Sequence, residues 1–326
     1  MVSLDRIREA QKLLARYLPR TPLVASPALD ELLRCHVFLK LETCSPVGSF
    51  KARGAFVALS AWLQAQGIPD PRSRRRPRVV TASSGNHGFA VAYAARVLGA
   101  EATVYVAKNA SATKVEAIKR EGAALVRAGQ DFDEAKSQAR DYAQEGGGWW
   151  LEDGEDPNVT AGTGTIGLEI VDDLPEVDEI IVPVGNGALV GGIGSAARAL
   201  NPATEITGVQ PEQAAAMVRS YEAGVPVPTD ICETIADGLA SRVPIPEAVS
   251  LMREVVSTMV EVSETSIADS VGLLVGQAHV LGEPAAAAAL AGALQRRDQL
   301  TAKNVVLVIT GANIDRATLL RCLEKR

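Results

Sequence analysis

Strand-like segments, several of them short continuous apolar runs, alternate with helix-period segments along most of the 326 residues. The strand-like segments lie at 37–41, 79–82, 103–107, 124–127, 179–184, 205–210, 259–262 and 305–309. A strand with one face in water alternates apolar and polar residues, whereas a continuous apolar run fits a strand covered on both faces. Helical patterns separate the runs, as at 111–121, 131–145, 265–281 and 284–297. Covered strands joined through helices predict an α/β fold, with open, largely parallel sheets and helices on both faces. Apolar residues make up 47% of the chain and aromatics only 4%, so the core is expected to be Ala, Val, Leu and Ile. That composition, with 22% charged residues, excludes disordered, collagenous and disulfide-scaffold classes.

Two composition breaks predict domain boundaries. Residues 67–78 are rich in Pro, Gly and Arg, and Glu145-Gly146-Gly147-Gly148 is a glycine run after a polar helix. The stretch between them has its own strand–helix alternation. It is read as a small mobile domain (73–147) inserted into a larger one (1–72 and 148–326). The net charge of −6 opposes a general nucleic-acid role, which needs a cationic field. Arg72, Arg74, Arg75, Arg76 and Arg78 are the local exception; no aromatics interleave with them, and they read as a solvated loop. Cys35, Cys44, Cys232 and Cys322 show no metal-binding spacing and read as reduced thiols of a cytoplasmic protein. The first residues lack the apolar run of a signal peptide, and the most apolar stretch, 285–294, is too short to span a bilayer, so no membrane partner is expected.

Among the possible chemical motifs, zinc-protease, nucleophile-elbow and Walker sequences are absent. Three histidines, His36, His87 and His279, are too few for a His-rich metal site, and His36 and His279 read as structural. Gly162-Thr163-Gly164-Thr165-Ile166-Gly167 matches a dinucleotide pattern, but no strand precedes it; close helix packing is the better reading. Gly185-Asn186-Gly187-Ala188-Leu189 does follow a buried run and precedes a helix rich in small residues. Converging amides and the positive helix end would cradle an anion or phosphate there; a tight turn is the alternative. Ser83-Ser84-Gly85-Asn86-His87-Gly88 also joins a strand to a helix, reading as a carboxylate cradle or an ordinary helix cap. Lys51, in Gly48-Ser49-Phe50-Lys51-Ala52-Arg53-Gly54-Ala55, opens a predicted helix, where its charge opposes the dipole. A lysine in a desolvated pocket loses its proton and forms Schiff bases; a surface charge is the alternative.

Taken together, these clusters resemble the fold-type II pyridoxal-phosphate enzymes, in particular the serine/threonine dehydratase branch that includes serine racemases. The resemblance runs from Arg20-Thr21-Pro22-Leu23 to Thr310-Gly311-Ala312-Asn313-Ile314-Asp315 and includes Thr234-Ile235-Ala236-Asp237-Gly238. It implies a two-domain, tryptophan synthase β-like fold, pyridoxal 5'-phosphate as cofactor, and a homodimer. Lys51 would form the Schiff base and shuttle the substrate α-proton. Phe50 would pack near the ring, Asn86 would bond the phenolic oxygen, and Gly185, Asn186, Gly187, Ala188 and Leu189 would bind the phosphate. Thr310 would face the ring nitrogen, and Glu283 would lie near the ring edge. Ser83, Ser84, Asn86 and His87 would surround the carboxylate of a small-molecule amino-acid substrate. The implied reaction is deamination of a small β-hydroxy amino acid such as L-threonine or L-serine, giving a 2-oxo acid and ammonia. Two alternatives stand beside it. Ser84 would serve the face opposite Lys51 in an amino-acid racemase, and loss of turnover would leave a pyridoxal-phosphate carrier or amino-acid sensor.

The sequence departs from the family pattern in three places. Asn186 and Ala188 stand where the phosphate loop usually has glycine. Gln210 and Ala216 stand where many members carry two cation-binding carboxylates, so no metal site is expected. The closing motif is Thr310-Gly311-Ala312-Asn313 where Ser-Gly-Gly-Asn is usual. The chain also ends soon after that motif, so a C-terminal regulatory domain and inhibition by isoleucine are not expected.

Overall fold

The computed structural model describes residues 1–68, 76–108, 110 and 112–324. Its strands, in chain order, are β1 (Leu23–Ala25), β2 (His36–Leu41), β3 (Arg78–Ala82), β4 (Glu101–Val106), β5 (Ala124–Arg127), β6 (Trp149–Trp150), β7 (Glu179–Pro183), β8 (Glu205–Pro211), β9 (Thr258–Val262) and β10 (Asn304–Ile309). The chain forms two compact units, one of residues 1–50 with 163–326 and one of residues 51–162.

The first unit carries a six-stranded sheet in the order β1-β2-β10-β7-β8-β9. Only the edge strand β1 is antiparallel. Side chains alternate between two cores, which is why the central strands of this sheet are largely apolar. Ile181, Val209, Val305, Leu307 and Ile309 enter one core with the alanine-rich helix Pro284–Gln295. Ile180, Val182, Ile206, Val306 and Val308 enter the other with helix Ala188–Leu200. One charged residue interrupts β2: Lys40 is fully buried and donates to Glu169 Oε2 (2.6 Å) and the Thr21 carbonyl (2.7 Å). A buried charge of this kind persists only when paired.

The 51–162 unit has a four-stranded, wholly parallel sheet in the order β5-β4-β3-β6. Here Val104 and Val106 face one core with Ile118, and Tyr105 faces the other with Val80 and Ala139. Helix Lys51–Ala65 packs in this unit, with Phe56 edge-on to Tyr93 at 5.8 Å and Trp62 stacked on Trp149 at 5.0 Å.

The observed α/β architecture, with parallel sheets covered on both faces, is the one the apolar runs predict. Differences are local. The helix expected over 265–281 ends at Gly276, and His279 beyond it adopts φ 55°, a conformation a helix cannot hold. Strands β1 and β6 go unrecognised in the sequence because three and two residues are too few for a period to show. The dinucleotide-like glycines lie inside helix Pro157–Asp173. A Cβ on Gly162 would lie 2.6 Å from the Arg53 carbonyl oxygen, and one on Gly167 would lie 2.6 Å from that of Ile193, so both glycines serve close packing. Residue 111, Arg72, Arg74, Arg75 and the expected boundary at 72/73 lie outside the described residues.

Candidate functional site

In the first unit the C-terminal ends of β7 and β10, neighbours in the sheet, carry the sequence-predicted anion loop and the closing motif. Ligands of open α/β sheets bind beyond these ends, where strand order reverses. Gly185 to Gly187 leave β7 and lead into helix Ala188–Leu200. Gly187 is the N-cap, with φ 91° and no side-chain cap, so the first-turn amides keep no intrahelical partner. A Cβ on Gly185 would lie 2.8 Å from the Gly238 carbonyl oxygen, so only glycine fits between this loop and 238. Ala188 and Leu189 are buried as the helix begins, while Asn186 is half-buried in the turn.

Thr310 follows β10, is 3% exposed, and accepts the Phe50 N–H through its carbonyl (3.0 Å). Ser49 and Gly311 form an isolated antiparallel bridge. Glu283, also buried, accepts the Asn313 N–H at Oε2 (3.0 Å), while its own N–H donates to the Gly311 carbonyl (2.9 Å). Asn313 Nδ2 donates to the Val47 carbonyl (2.8 Å), tying down the turn that leads into Phe50. Phe50, Gly185–Leu189, Glu283 and Thr310 are thus gathered at one end of this sheet, with Phe50 and Leu189 in one core cluster.

In the 51–162 unit, Lys51 is the first residue of its helix and is half-buried. Ser83 and Ser84 leave β3, and Asn86 and His87 form the first turn of helix Asn86–Leu98. Ser83 Oγ accepts the Gly85 N–H (3.1 Å), closing the turn, and Ser84 stands half-buried beside it. His87 Nε2 lies 3.5 Å from the Leu151 carbonyl oxygen. Burial pushes the His87 imidazole below its ordinary range and outweighs the opposite pull of Asp153.

One residue here escaped the sequence reading. Asp153, only 7% exposed, forms an ion pair with Lys51 through Oδ2. Burial pushes its carboxyl up, but Lys51, His87 and Lys136 oppose this, and the net shift is downward. Its neighbour Glu152 pairs with Lys136 and with Arg140 (2.6 Å), both on helix Phe132–Tyr142. The Arg140 guanidinium also lies 5.4 Å from the Trp150 ring centroid. No local pattern marks Asp153, because it follows a two-residue strand.

Residues 14–311 match the family described as pyridoxal-phosphate dependent enzyme. The chain belongs to that family. Among relatives of this pyridoxal-phosphate-dependent enzyme, an L-threonine ammonia-lyase of Thermotoga maritima is 36% identical over 100% of this chain and 79% of its own. Two solved structures have TM-scores of 0.89. The processed form of threonine deaminase isoform 2 from Solanum lycopersicum is 28% identical, covering 98% of this chain and 93% of the other. Maize serine racemase is 30% identical, covering 98% of each chain.

The residues fit the family's cofactor. A glycine turn that a side chain would fill, at an uncapped helix start, suits a phosphate group. A half-buried lysine amine suits a carbonyl partner.

Proposed function

We propose that the protein is a pyridoxal-phosphate-dependent ammonia-lyase that converts a small β-hydroxy amino acid, L-threonine or L-serine, to a 2-oxo acid and ammonia. The observation that carries the reading is the likeness, over the whole of this chain, to an L-threonine ammonia-lyase. When bound, the cofactor supplies the electron sink that acidifies the α-C–H of an attached amino acid. Lys51 would hold the cofactor and, as a neutral amine, take the proton from Cα. Ser83, Ser84, Asn86 and His87 would hold the substrate carboxylate through hydroxyl, amide and imidazole groups. A largely neutral His87 accepts or donates one hydrogen bond without adding charge. Asn86 would also bond the phenolic oxygen, Gly185 to Leu189 would bind the phosphate, Phe50 would pack on the ring, and Glu283 would flank its edge. Thr310 would bring a hydroxyl rather than a carboxylate to the ring nitrogen, a partner that does not enforce its protonation and so favours elimination. Proton removal at Cα and departure of the β-hydroxyl as water leave an enamine, which water hydrolyses to the 2-oxo acid and ammonia.

Release of 2-oxo acid by the cofactor-loaded protein tests this. L-Serine, L-threonine and a bulkier β-hydroxy amino acid are compared, and lysine-dependent release from at least one is expected. Inversion of the α-carbon without 2-oxo acid would instead favour racemisation through Ser84, a reading supported by the likeness to a serine racemase. No turnover with any of them would end the enzymatic reading.

No divalent cation is proposed for the phosphate loop. Gln210 is buried, and its Oε1 accepts the N–H groups of Met217 (3.0 Å) and Val218 (3.2 Å), which uses a neutral amide to cap helix Ala216–Ala223. Excess chelator is therefore expected to leave the rate of 2-oxo acid release unchanged. Loss of rate restored by Mg²⁺ would overturn this.

We further propose a cytoplasmic homodimer in which residues 73–147 move as a small domain. The absence of any disulfide among the four cysteines supports a reducing compartment. Among the described residues no helix is long and apolar enough to cross a membrane, and the charge of the chain opposes nucleic-acid binding.

A further inference from the structure

The turn at 185–187 rests on a contact that begins in the neighbouring strand. β8 runs parallel to β7, and the Val184 N–H, just before the turn, donates to the Val209 carbonyl (2.8 Å). Gln210 comes next and is fully buried. Helix Ala216–Ala223 has Ala215 at its N-cap, and a methyl group cannot accept the orphan amides of a first turn. Gln210 accepts them instead, through the two bonds from Met217 and Val218. Those bonds fix the orientation of the amide and leave its Nε2 buried without a hydrogen-bond partner. A buried donor without a partner is costly, so the needs of the helix start decide which way the amide faces. A carboxylate would complement the positive helix end better. At full burial it would need a paired cation, whereas an amide supplies the acceptor without charge.

The first of the two capped residues reaches the turn. Met217 is fully buried and shares one core cluster with Val184 and Leu189, which flank the turn. A Cβ on Gly187 would lie 3.0 Å from Met217 Cε and 3.4 Å from Met252 Sδ, so Met217 backs the turn at its one residue of positive φ. We infer that Gln210 is a positioning residue for the phosphate loop. By capping Met217 with a neutral group, it holds that side chain against Gly187 and keeps the first-turn amides of helix Ala188–Leu200 aimed at one point. Close packing transmits such a restraint, because a shift of the helix start would leave a gap beside Gly187. The inference rests on the reading that residues 185–189 bind the cofactor phosphate.

The test compares pyridoxal 5'-phosphate with pyridoxal, which has the same ring and carbonyl but no phosphate. Each is titrated into the full-length, cofactor-free protein, and the dissociation constant is read from the absorption of the bound ligand. The wild type is expected to bind pyridoxal 5'-phosphate at least about a hundredfold more tightly than pyridoxal. Gln210→Met keeps the volume and removes the acceptor. It is expected to narrow that ratio at least about fivefold, with pyridoxal bound within about twofold of the wild type. A role in the fold alone would weaken both ligands equally. Met217→Val shortens the side chain at Gly187 and leaves the cap in place, so it should show the same selective loss. It decides the question where Gln210→Met does not fold. The two substitutions together are expected to cost less than the product of their separate effects, because both act on one contact. An unchanged ratio in the variants, or an equal loss for both ligands, would overturn the role of Gln210 and leave the phosphate loop intact. A wild type that binds both ligands alike would overturn the phosphate loop itself, and this inference with it.

Discussion

Replacing Lys51 with alanine is expected to lower 2-oxo acid release from L-threonine by at least about a thousandfold. The size follows from two roles carried by one amine. It is the proposed covalent anchor of the cofactor and the proposed base at Cα, so no remaining group replaces both. The structure adds a complication, since Lys51 also pairs with the buried Asp153. Removing the amine leaves that carboxylate without its cation, and the alanine protein is expected to lose stability as well as activity. Lys51→Arg separates the two effects. Its guanidinium keeps the charge beside Asp153 but does not deprotonate, so this variant should fold like the wild type and remain inactive. Borohydride reduction of the cofactor-loaded wild type, followed by peptide mass mapping, should place the cofactor on the peptide containing Lys51. An adduct on any other lysine, or full activity in either variant, would sink the assignment.

Gly187→Val is expected to weaken cofactor binding by about tenfold or more. Gly187 holds φ 91°, a backbone conformation that a β-branched residue adopts only under strain. Its new Cβ would also lie 3.0 Å from Met217 Cε and 3.3 Å from Ala248 Cβ, so the strain is not relieved by turning the side chain into open space. Forcing the turn costs about 1–3 kcal/mol and tilts the first-turn amides of helix Ala188–Leu200 away from their common target. Equilibrium dialysis against pyridoxal phosphate reads the affinity, and chemical denaturation of the cofactor-free protein reads the strain. Unchanged affinity in a variant that is measurably less stable would show that the turn serves the fold alone. Asn186 and Ala188, where the family more often has glycine, need no such exemption. Neither has a positive φ, which is why the loop tolerates side chains at those two positions and not at 187.

The covered strands were legible because burial on both faces writes itself directly into composition. Ile180, Ile181 and Val182 are all apolar because alternate side chains enter different cores. The loops at 83–88 and 185–189 were legible for a related reason: small residues between a strand and a helix are a local requirement of the turn. Lys51 stood out through its position at a helix start, where its charge is out of place. Strands β1 and β6 were not legible, being too short to carry a period. Lys40, inside an otherwise apolar strand, gave no hint of its partner, since Glu169 lies 129 residues away.

By itself, then, the sequence determined the α/β class, the family and the local shape of each loop, because those depend on neighbours along the chain. The tertiary structure alone decided that Asp153 meets Lys51, 102 residues away. That meeting depends on β6 pairing with β3 at the reversal of the sheet, on Glu152 being held by helix Phe132–Tyr142, and on burial that leaves the two charges to one another. None of these is a property of the stretch around Asp153. The ion pair of Lys51 with Asp153 is therefore set by packing between segments distant in sequence.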